Sequence, residues 1–214
     1  MRRDIKHRLK ETVVEAGLRM VQQGLTVGTW GNISVRDGET GLIYISPSAI
    51  DYEEVRPQHI VVLDDKLEVV DGSATPSIEK RMHLAVYLAR EDVNAVIHTH
   101  PLHSSVLGVN GMALPPISED FVQLVGDTVI CSEYALPGTE ELAQSVVKGL
   151  GSRNAVLLPN HGTLCVGQDV GQAFKVSLVV EKTAHIYILA KSISPRMSMA
   201  RRSASADPNW PQVR

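Results

Sequence analysis

Histidines are concentrated in one short stretch of the chain, which reads HTHPLH over residues 98–103. His98 and His100 close the apolar run NAVIHTH, whose composition predicts a short β-strand. Because alternate residues of a strand face the same side, the two imidazoles are expected to point together, as two ligands of one metal ion must. Pro101 ends the strand, so the spacing gives no reason for His103 to join the pair. A His-x-His pair alone indicates a metal site only weakly, and a structural role for both side chains is an equal alternative.

Two other parts of the sequence strengthen the metal hypothesis. His161 follows a second apolar run, NAVLLPNHG, and stands beside Gly162, where backbone and ligand can approach closely. Glu79 falls in the first turn of a helix predicted over 77–90. Three imidazoles and one carboxylate are an ordinary ligand set for zinc, and the carboxylate could yield its place to a substrate. His83 lies on the same helix face as Glu79 and competes as a ligand, although a packed or hydrogen-bonded histidine is the commoner case.

Three loop segments have the composition of an anion-binding site. GTWGNIS (28–34) places two glycines around a polar run and includes Asn32, while SPSAI (46–50) and TPS (75–77) place hydroxyl groups next to prolines that stiffen the backbone. Ser77 also opens the predicted helix, and a helix N-terminus favours phosphate. Each segment alone is more often a plain turn, but together they predict an anion site. The glycine patterns of mononucleotide and dinucleotide sites are absent, so nucleotide binding is not expected.

The elements that must position these residues mix helices and strands irregularly. Apolar residues at helical spacing, with Ser77 and Thr139 as candidate N-caps, predict helices over 3–23, 77–90, 139–150 and 169–191. Short β-like runs bounded by turn residues predict strands within 32–37, 42–46, 59–64, 64–72, 94–100, 128–135 and 154–162. Because no regular βαβ alternation and no linker is visible, the pattern predicts one α+β or layered αβα domain.

The composition is that of an ordinary globular domain of 214 residues, with 43% hydrophobic and 21% charged residues. A formal net charge of -3 gives no indication of nucleic-acid or anionic-membrane binding. No apolar run approaches the roughly 20 residues that span a bilayer, and no signal-peptide core follows the basic N-terminus. The two cysteines have no CxxC spacing, which favours a reducing, cytoplasmic compartment.

The segments TWGNIS, ISPSAI, TPSIEKRMHLAVY, AVIHTHPLH, YALPGTEELA and LLPNHG, in this order, resemble the class II aldolase/adducin-head family. The resemblance runs from about residue 5 to residue 192 and is strongest for the L-fuculose 1-phosphate aldolases. It implies a layered α/β fold in which helices flank a central, mostly antiparallel sheet. The catalytic domain would cover 1–192, followed by a polar tail over 193–214. It also implies a cyclic homotetramer with active sites between neighbouring subunits.

The same resemblance implies roles for individual residues. It implies one zinc ion, with manganese or cobalt as possible substitutes, held by His98, His100 and His161, with Glu79 as the fourth ligand. In the family aldolases the glutamate leaves the metal and removes a proton from dihydroxyacetone phosphate, whose carbonyl group the metal polarises. The positions that bind phosphate in the family correspond here to Gly31, Asn32, Ser48, Ala49 and Ser77.

Two departures from the family pattern concern the phosphate and the proton donor. Ile78 stands where the fuculose enzymes have a second serine, and the lost hydroxyl weakens the phosphate pocket. In the family, a tyrosine of the neighbouring subunit protonates the leaving aldehyde oxygen, and the corresponding segment here reads PPISEDFVQLVG. Phe121 in that segment cannot transfer a proton. Glu119 and Asp120 are therefore the candidate catalytic acids, with exposure to solvent as the alternative for each.

The expected function is a zinc-dependent aldolase that cleaves a ketose 1-phosphate, such as L-fuculose 1-phosphate, into dihydroxyacetone phosphate and an aldehyde. Glu79 favours this function over the pentulose-phosphate 4-epimerases, whose matching position resembles aspartate. Ile78 and the pair Glu119 and Asp120 keep open a decarboxylase, dehydratase or epimerase with the same metal and enediolate chemistry. A non-catalytic, adducin-like oligomerisation domain is less consistent with the sequence, because clustered metal ligands without a metal leave costly polar groups.

Overall fold

The computed structural model describes residues 5–194. Its strands are β1 (Asn32–Arg36), β2 (Ile43–Ile45), β3 (Val61–Leu63), β4 (Val69–Asp71), β5 (Ala95–Thr99), β6 (Ala155–Leu158) and β7 (Gly162–Gly167). Its helices are α1 (His7–Gln22), α2 (Lys80–Ala89), α3 (Leu102–Val109), α4 (Glu119–Leu124), α5 (Glu140–Leu150) and α6 (Val170–Ile193), with a 3-10 turn at Pro57–His59. Over these residues the strands form one antiparallel sheet in the order β4–β3–β2–β1–β5–β7–β6.

Helices cover both faces of the sheet because the inner strands carry apolar side chains on both sides. In β5, Ala95 and Ile97 pack with α1 and the first turns of α6, whereas Val96 packs on the opposite face with α2 and α5. A third cluster, around Leu157 and Phe121, packs α3, α4 and the rest of α6 against β6 and β7. Burial on both faces explains why these strands are apolar runs rather than alternating patterns. The layered α/β fold with an antiparallel central sheet is thereby confirmed.

The helices predicted from apolar spacing are present, with ends that differ by a few residues. Thr139 caps α5 as expected, because its hydroxyl accepts a hydrogen bond from the Leu142 N–H at 3.2 Å. The second helix begins at Lys80 rather than at Ser77. The Ser77 hydroxyl instead accepts from the Glu79 N–H at 3.2 Å and so closes the turn that leads into α2.

The strand predicted over 128–135 is absent, and this prediction is wrong. The segment makes only isolated bridges, from Val129 to Leu114 and from Cys131 to Leu157. Its backbone pairs first with the segment at Leu114 and then, two residues later, with Leu157 of β6, so no continuous ladder forms with either neighbour. The prediction also missed β7, whose run GTLCVG follows directly after His161, and the helices α3 and α4.

The tail was predicted to begin at residue 193, and the structure describes only its first two residues, 193 and 194. Ile193 is the last residue of α6. The remainder of 193–214 lies outside the described residues. Between residues 5 and 194, no helix is long and apolar enough to cross a membrane.

Candidate metal centre and substrate pocket

The end of β5 and the turn between β6 and β7 bring three histidines together. Nε2 of His98 lies 2.9 Å from Nε2 of His100 and 3.2 Å from Nε2 of His161. One ligand atom from each ring lies within 4.8 Å of the others. Gly162 permits this approach, because a Cβ atom there would lie 2.2 Å from the carbonyl oxygen of Thr99 and 2.8 Å from Cδ2 of His100. The close packing of β7 on β5 therefore sets the distance between the imidazoles.

The three imidazoles are held in the neutral form that binds metal ions. Nδ1 of His98 lies 3.1 Å from the carbonyl oxygen of Thr163, so it carries the proton and Nε2 keeps its lone pair for the cluster. Burial lowers the pKa of His98 well below its ordinary value, and the neighbouring His161 and His100 lower it further. Burial also lowers the pKa of His100 to about 4 and lowers the pKa of His161, against the opposing charge of Glu79. No proton therefore competes for these ligands near neutral pH.

Glu79, the N-cap residue of α2, supplies a carboxylate to the histidine cluster. Its Oε2 lies 3.3 Å from Nε2 of His98, and its Oε1 lies 3.4 Å from Nε2 of His161. Oε1 is buried and has no hydrogen-bond partner, which is rare for a carboxylate oxygen inside a protein. Converging imidazole nitrogens and an unpartnered carboxylate oxygen are the donor set that a divalent ion such as zinc would satisfy. The residues present therefore fit a bound metal.

Two other histidines considered as ligands lie outside this group. Nδ1 of His103 lies 2.7 Å from Oε1 of Glu181 on α6. His83 is fully buried, with Nε2 at 2.5 Å from Oδ1 of Asn32 and Nδ1 at 2.6 Å from the hydroxyl oxygen of Ser34. Pro101 thus turns the chain so that His103 faces α6, and His83 is the hydrogen-bonded core histidine that the sequence favoured.

A pocket of about 560 Å³ opens next to the histidine cluster. It is lined by Val27, Thr29, Trp30, Gly31, Pro47, Ser48, Ala49, Ser77, Ile78, Glu79, His100, Pro137, Asn160 and His161. The indole ring of Trp30 lies with its centroid 5.9 Å from that of the His100 ring. Two of the clustered histidines, the Glu79 carboxylate, serine and threonine hydroxyl groups and an apolar rim therefore surround one space.

The loops predicted to bind an anion meet at this pocket. A bridge between Pro47 and Pro76 joins two of them, and the Ser48 N–H donates to the carbonyl oxygen of Thr75 at 2.8 Å. Gly31, with φ of +74°, cannot be replaced freely, because a Cβ there would lie 2.7 Å from the carbonyl oxygen of His98. Ala49 also has a left-handed backbone, with φ of 58°, which costs an alanine conformational energy and is commonest at functional sites.

Besides His98, which is fully buried in the histidine cluster, three predicted site residues do not line the pocket of their own chain. Asn32 lies behind the wall and donates from Nδ2 to Oε2 of Glu79 at 2.8 Å. Glu119 and Asp120 open α4, away from the lining residues, and Asp120 forms an ion pair with Lys182 of α6. Partial burial raises the pKa of Asp120, but hydrogen bonding, chiefly from Lys182, outweighs burial, and the pKa is lower than its ordinary value. Asp120 is therefore ionised near neutral pH.

Trp30 and Asn160 are among the pocket residues that were not singled out from the sequence. Trp30 occurs within the loop GTWGNIS, and a tryptophan in an otherwise polar loop was a usable signal of a binding surface. Asn160 occupies the tight turn before His161 with φ of 55°, a conformation that asparagine tolerates better than other non-glycine residues. Its place in the pocket depends on the hairpin between β6 and β7, which the sequence pattern did not predict.

The family described as Class II Aldolase and Adducin N-terminal domain matches residues 11–188, and the chain belongs to that family. It is an enzyme of the class II aldolase type, a carbon–carbon lyase. A 5-deoxy-D-ribulose 1-phosphate aldolase of Bacillus thuringiensis serovar kurstaki is 40% identical over 86% of this chain and 86% of its own. An L-fuculose phosphate aldolase of Escherichia coli K12 is 33% identical over 88% of this chain and 86% of its own. A solved L-fuculose 1-phosphate aldolase structure superposes with a TM-score of 0.89 at 38% identity, covering 94% of this chain and 93% of that one.

Proposed function

We propose that this enzyme is a zinc-dependent aldolase that cleaves a ketose 1-phosphate, such as L-fuculose 1-phosphate, into dihydroxyacetone phosphate and an aldehyde. One observation carries the proposal: Glu79 contacts the histidine cluster and also lines the pocket, with one carboxylate oxygen that has no partner. A base beside a metal centre and an anion-binding loop is the arrangement that such a reaction requires.

His98, His100, His161 and Glu79 would hold the metal ion. When bound, a divalent cation supplies a Lewis acid that polarises the carbonyl group of the ketose and stabilises negative charge. Zinc is proposed because imidazole nitrogens and one carboxylate suit it, although the same ligands also accept manganese or cobalt. The neutral state of the histidines near pH 7 supports binding without loss of protons from the rings.

Glu79 would act as the general base. In the direction of condensation, a carboxylate must remove a proton from the hydroxymethyl carbon of dihydroxyacetone phosphate, and in cleavage it returns a proton to the same carbon. Oε2 of Glu79 already accepts a hydrogen bond from Asn32, whereas Oε1 accepts none. Oε1 is therefore the oxygen proposed to exchange the proton.

Gly31, Asn32, Ser48, Ala49 and Ser77 are proposed to bind the phosphate group. The two serines offer hydroxyl donors, and the left-handed backbone at Gly31 and Ala49 gives the alternation of N–H directions found in anion-binding turns. The amide nitrogen of Asn32 carries two hydrogens, of which the bond to Glu79 uses one. Ile78 lines the same pocket in place of a hydroxyl residue, so fewer donors surround the anion than in the fuculose enzymes.

The proton donor for the aldehyde oxygen is proposed to come from another subunit. Within one chain, neither Glu119 nor Asp120 lines the pocket, so either can serve only if a neighbouring copy presents it. We therefore propose a homotetramer with active sites between subunits, acting in the cytoplasm. The lowered pKa of Asp120 and its ion pair with Lys182 make Glu119 the better donor of the two.

The rim of the pocket favours an aldehyde with an apolar end. Val27, Trp30 and Ile78 line it while remaining 78%, 66% and 64% exposed. The sugars named for the two relatives, 5-deoxy-D-ribulose 1-phosphate and L-fuculose phosphate, both end in a methyl group. Cleavage beside the dihydroxyacetone unit would release acetaldehyde from the first sugar and lactaldehyde from the second. Both short, methyl-terminated aldehydes fit an apolar rim.

The test is to follow the hydroxymethyl protons of dihydroxyacetone phosphate by NMR in D₂O with the zinc-loaded protein. One of the two protons should exchange stereospecifically, and Glu79→Gln should slow the exchange at least about 100-fold because an amide cannot accept the proton. Glu133→Gln is the matched control, since Glu133 is an exposed carboxylate paired with Lys148. It should leave the exchange rate unchanged.

Addition of acetaldehyde or lactaldehyde to the same mixture identifies the sugar by the product that forms. No exchange by the zinc-loaded protein would overturn the dihydroxyacetone phosphate aldolase and direct the search to acidic sugar phosphates, as substrates of a decarboxylase, dehydratase or epimerase. Exchange that Glu79→Gln leaves intact would overturn the role given to Glu79.

A further inference from the structure

Buried polar side chains alternate between β1 and α2 directly behind the metal centre. On β1, residues two apart face the same side, and on α2, residues four apart share one face. Along the contact between them the order is Glu79, Asn32, His83, Ser34 and Tyr87. Glu79, His83 and Tyr87 come from α2 and its N-cap, and Asn32 and Ser34 come from β1, so the side chains of the two elements alternate along the contact. We call these five residues the α2–β1 network.

Each neighbouring pair in the α2–β1 network is hydrogen-bonded. The distances are 2.8 Å from Asn32 Nδ2 to Glu79 Oε2 and 2.5 Å from His83 Nε2 to Asn32 Oδ1. They continue at 2.6 Å from His83 Nδ1 to Ser34 Oγ and 2.8 Å from Ser34 Oγ to the Tyr87 hydroxyl oxygen. The four residues behind Glu79 are at most 4% exposed, with 4% for Asn32, 0% for Ser34 and His83, and 2% for Tyr87. Water therefore cannot replace a missing partner at low cost.

The direction of every bond follows from the carboxylate at one end. A carboxylate oxygen can only accept, so Asn32 donates its amide N–H to Glu79 and turns its carbonyl oxygen to His83. That oxygen needs a donor, which requires a proton on Nε2 of His83. Because burial lowers the pKa of His83 to about 3, the ring is neutral and its Nδ1 must accept from the Ser34 hydroxyl. The Tyr87 hydroxyl then donates to Ser34, and only one tautomer of His83 satisfies all members.

We propose that the α2–β1 network is a positioning device that holds Oε2 of Glu79 in place and leaves Oε1 as the oxygen that reacts. His83 is the central positioning residue, because it fixes the orientation of the Asn32 amide through its hydrogen bonds to Asn32 and Ser34 and does not line the pocket. A rotated amide would turn its carbonyl oxygen toward the carboxylate and repel it. The assignment of the reacting oxygen rests on the proposed role of Glu79 as the base.

The first experiment replaces His83 and measures dihydroxyacetone phosphate exchange in the zinc-loaded protein. His83→Leu removes the donor to Asn32, and a misplaced base should lower kcat about 100-fold with little change in KM. His83→Gln can restore an N–H near the position of Nε2 and should recover most of the lost rate. His7→Leu is the matched control, because the His7 side chain is 72% exposed on α1.

A full exchange rate in His83→Leu, or no recovery in His83→Gln, would overturn the proposal. If His83→Leu does not fold, Tyr87→Phe tests the far end of the network, where loss of one hydroxyl should change the rate less than about 10-fold. A loss in Tyr87→Phe as large as that in Glu79→Gln would also overturn it, because the effect must fade with distance from Glu79.

The second experiment does not depend on activity. Nitrogen-15 NMR of histidine-labelled protein should show His83 as the neutral tautomer protonated at Nε2, and Asn32→Asp or Asn32→Leu should perturb that signal. A ring protonated at Nδ1, or at both nitrogens near pH 7, would overturn the network as described. If the unmodified protein shows the expected tautomer but no exchange with dihydroxyacetone phosphate, the proposed function fails and the network stands.

Discussion

Replacement of Gly162 by alanine should separate the proposed metal ligands without removing any of them. A Cβ at this position would lie 2.2 Å from the Thr99 carbonyl oxygen and 2.8 Å from Cδ2 of His100. Carbon and oxygen atoms between adjacent strands approach only to about 3.3 Å, so β7 must move away from β5 by about 1 Å. Because Gly162 directly follows His161, the shift also moves that ligand relative to His98 and His100.

The expected cost of Gly162→Ala is about 1–3 kcal/mol in the free energy of unfolding, as for other substitutions that overfill a packed interior. Metal binding should weaken more sharply, because metal–ligand distances tolerate only about 0.2 Å. Urea denaturation of the metal-free protein measures the first effect, and competition with a zinc chelator measures the second.

Gly38→Ala is the matched control for Gly162→Ala. Gly38 lies in the turn between β1 and β2, and a Cβ there would meet no atom within 4 Å. Its stability should stay within about 0.5 kcal/mol of the unmodified protein, with zinc affinity unchanged. If Gly162→Ala unfolds at the same urea concentration and holds zinc as tightly as this control, the argument from strand packing is refuted.

Two further predictions concern acid stability and the start of α3. The folded metal-free protein keeps the buried His83 and His98 neutral, whereas the unfolded chain protonates them below their ordinary pKa of 6.5. The free energy of unfolding should therefore fall as the pH is lowered from 6.5 toward 4, by about 1.4 kcal/mol per pH unit for His83, with His98 adding to the loss in the same direction. Urea titrations at pH 7 and pH 5 that agree would contradict this. Glu181 accepts from the N–H groups of His103 at 2.8 Å and Ser104 at 2.9 Å, so Glu181→Ala should destabilise the protein by about 1–3 kcal/mol, and Glu181→Gln by less, in thermal denaturation.

Local periodicity accounts for the part of the structure that the sequence predicted. The pair His98 and His100 faces one side because strand parity is a property of the backbone. The N-cap at Thr139 and the long helix from Val170 also follow from neighbouring residues alone. In each case the determining contacts lie within one or two turns of the chain.

The strand expected over 128–135 shows where local information fails. Its β-branched and apolar residues satisfy the pattern, but a strand needs a partner along its whole length, and this segment has only Leu114 on one side and Leu157 on the other. Likewise, Pro101 was taken only as the end of a strand, although the chain beyond it forms α3, whose first N–H groups are satisfied by the distant Glu181.

The sequence by itself determined the residue types of the site, the faces on which they lie within each element, and, through the order of its motifs, the family. Tertiary structure alone decided that Oε1 of Glu79 lacks a partner, that Asn32 faces Glu79 and His83, and that Asp120 pairs with Lys182. The hydrogen bonds from Asn32 to Glu79, from His83 to Asn32 and from Lys182 to Asp120 join residues that lie 47 to 62 positions apart in the sequence. The contacts of Asn32 depend on the register of β1 in the sheet and on the packing of α2 over it, and the contact of Asp120 depends on the packing of α4 against α6. No local pattern encodes these arrangements.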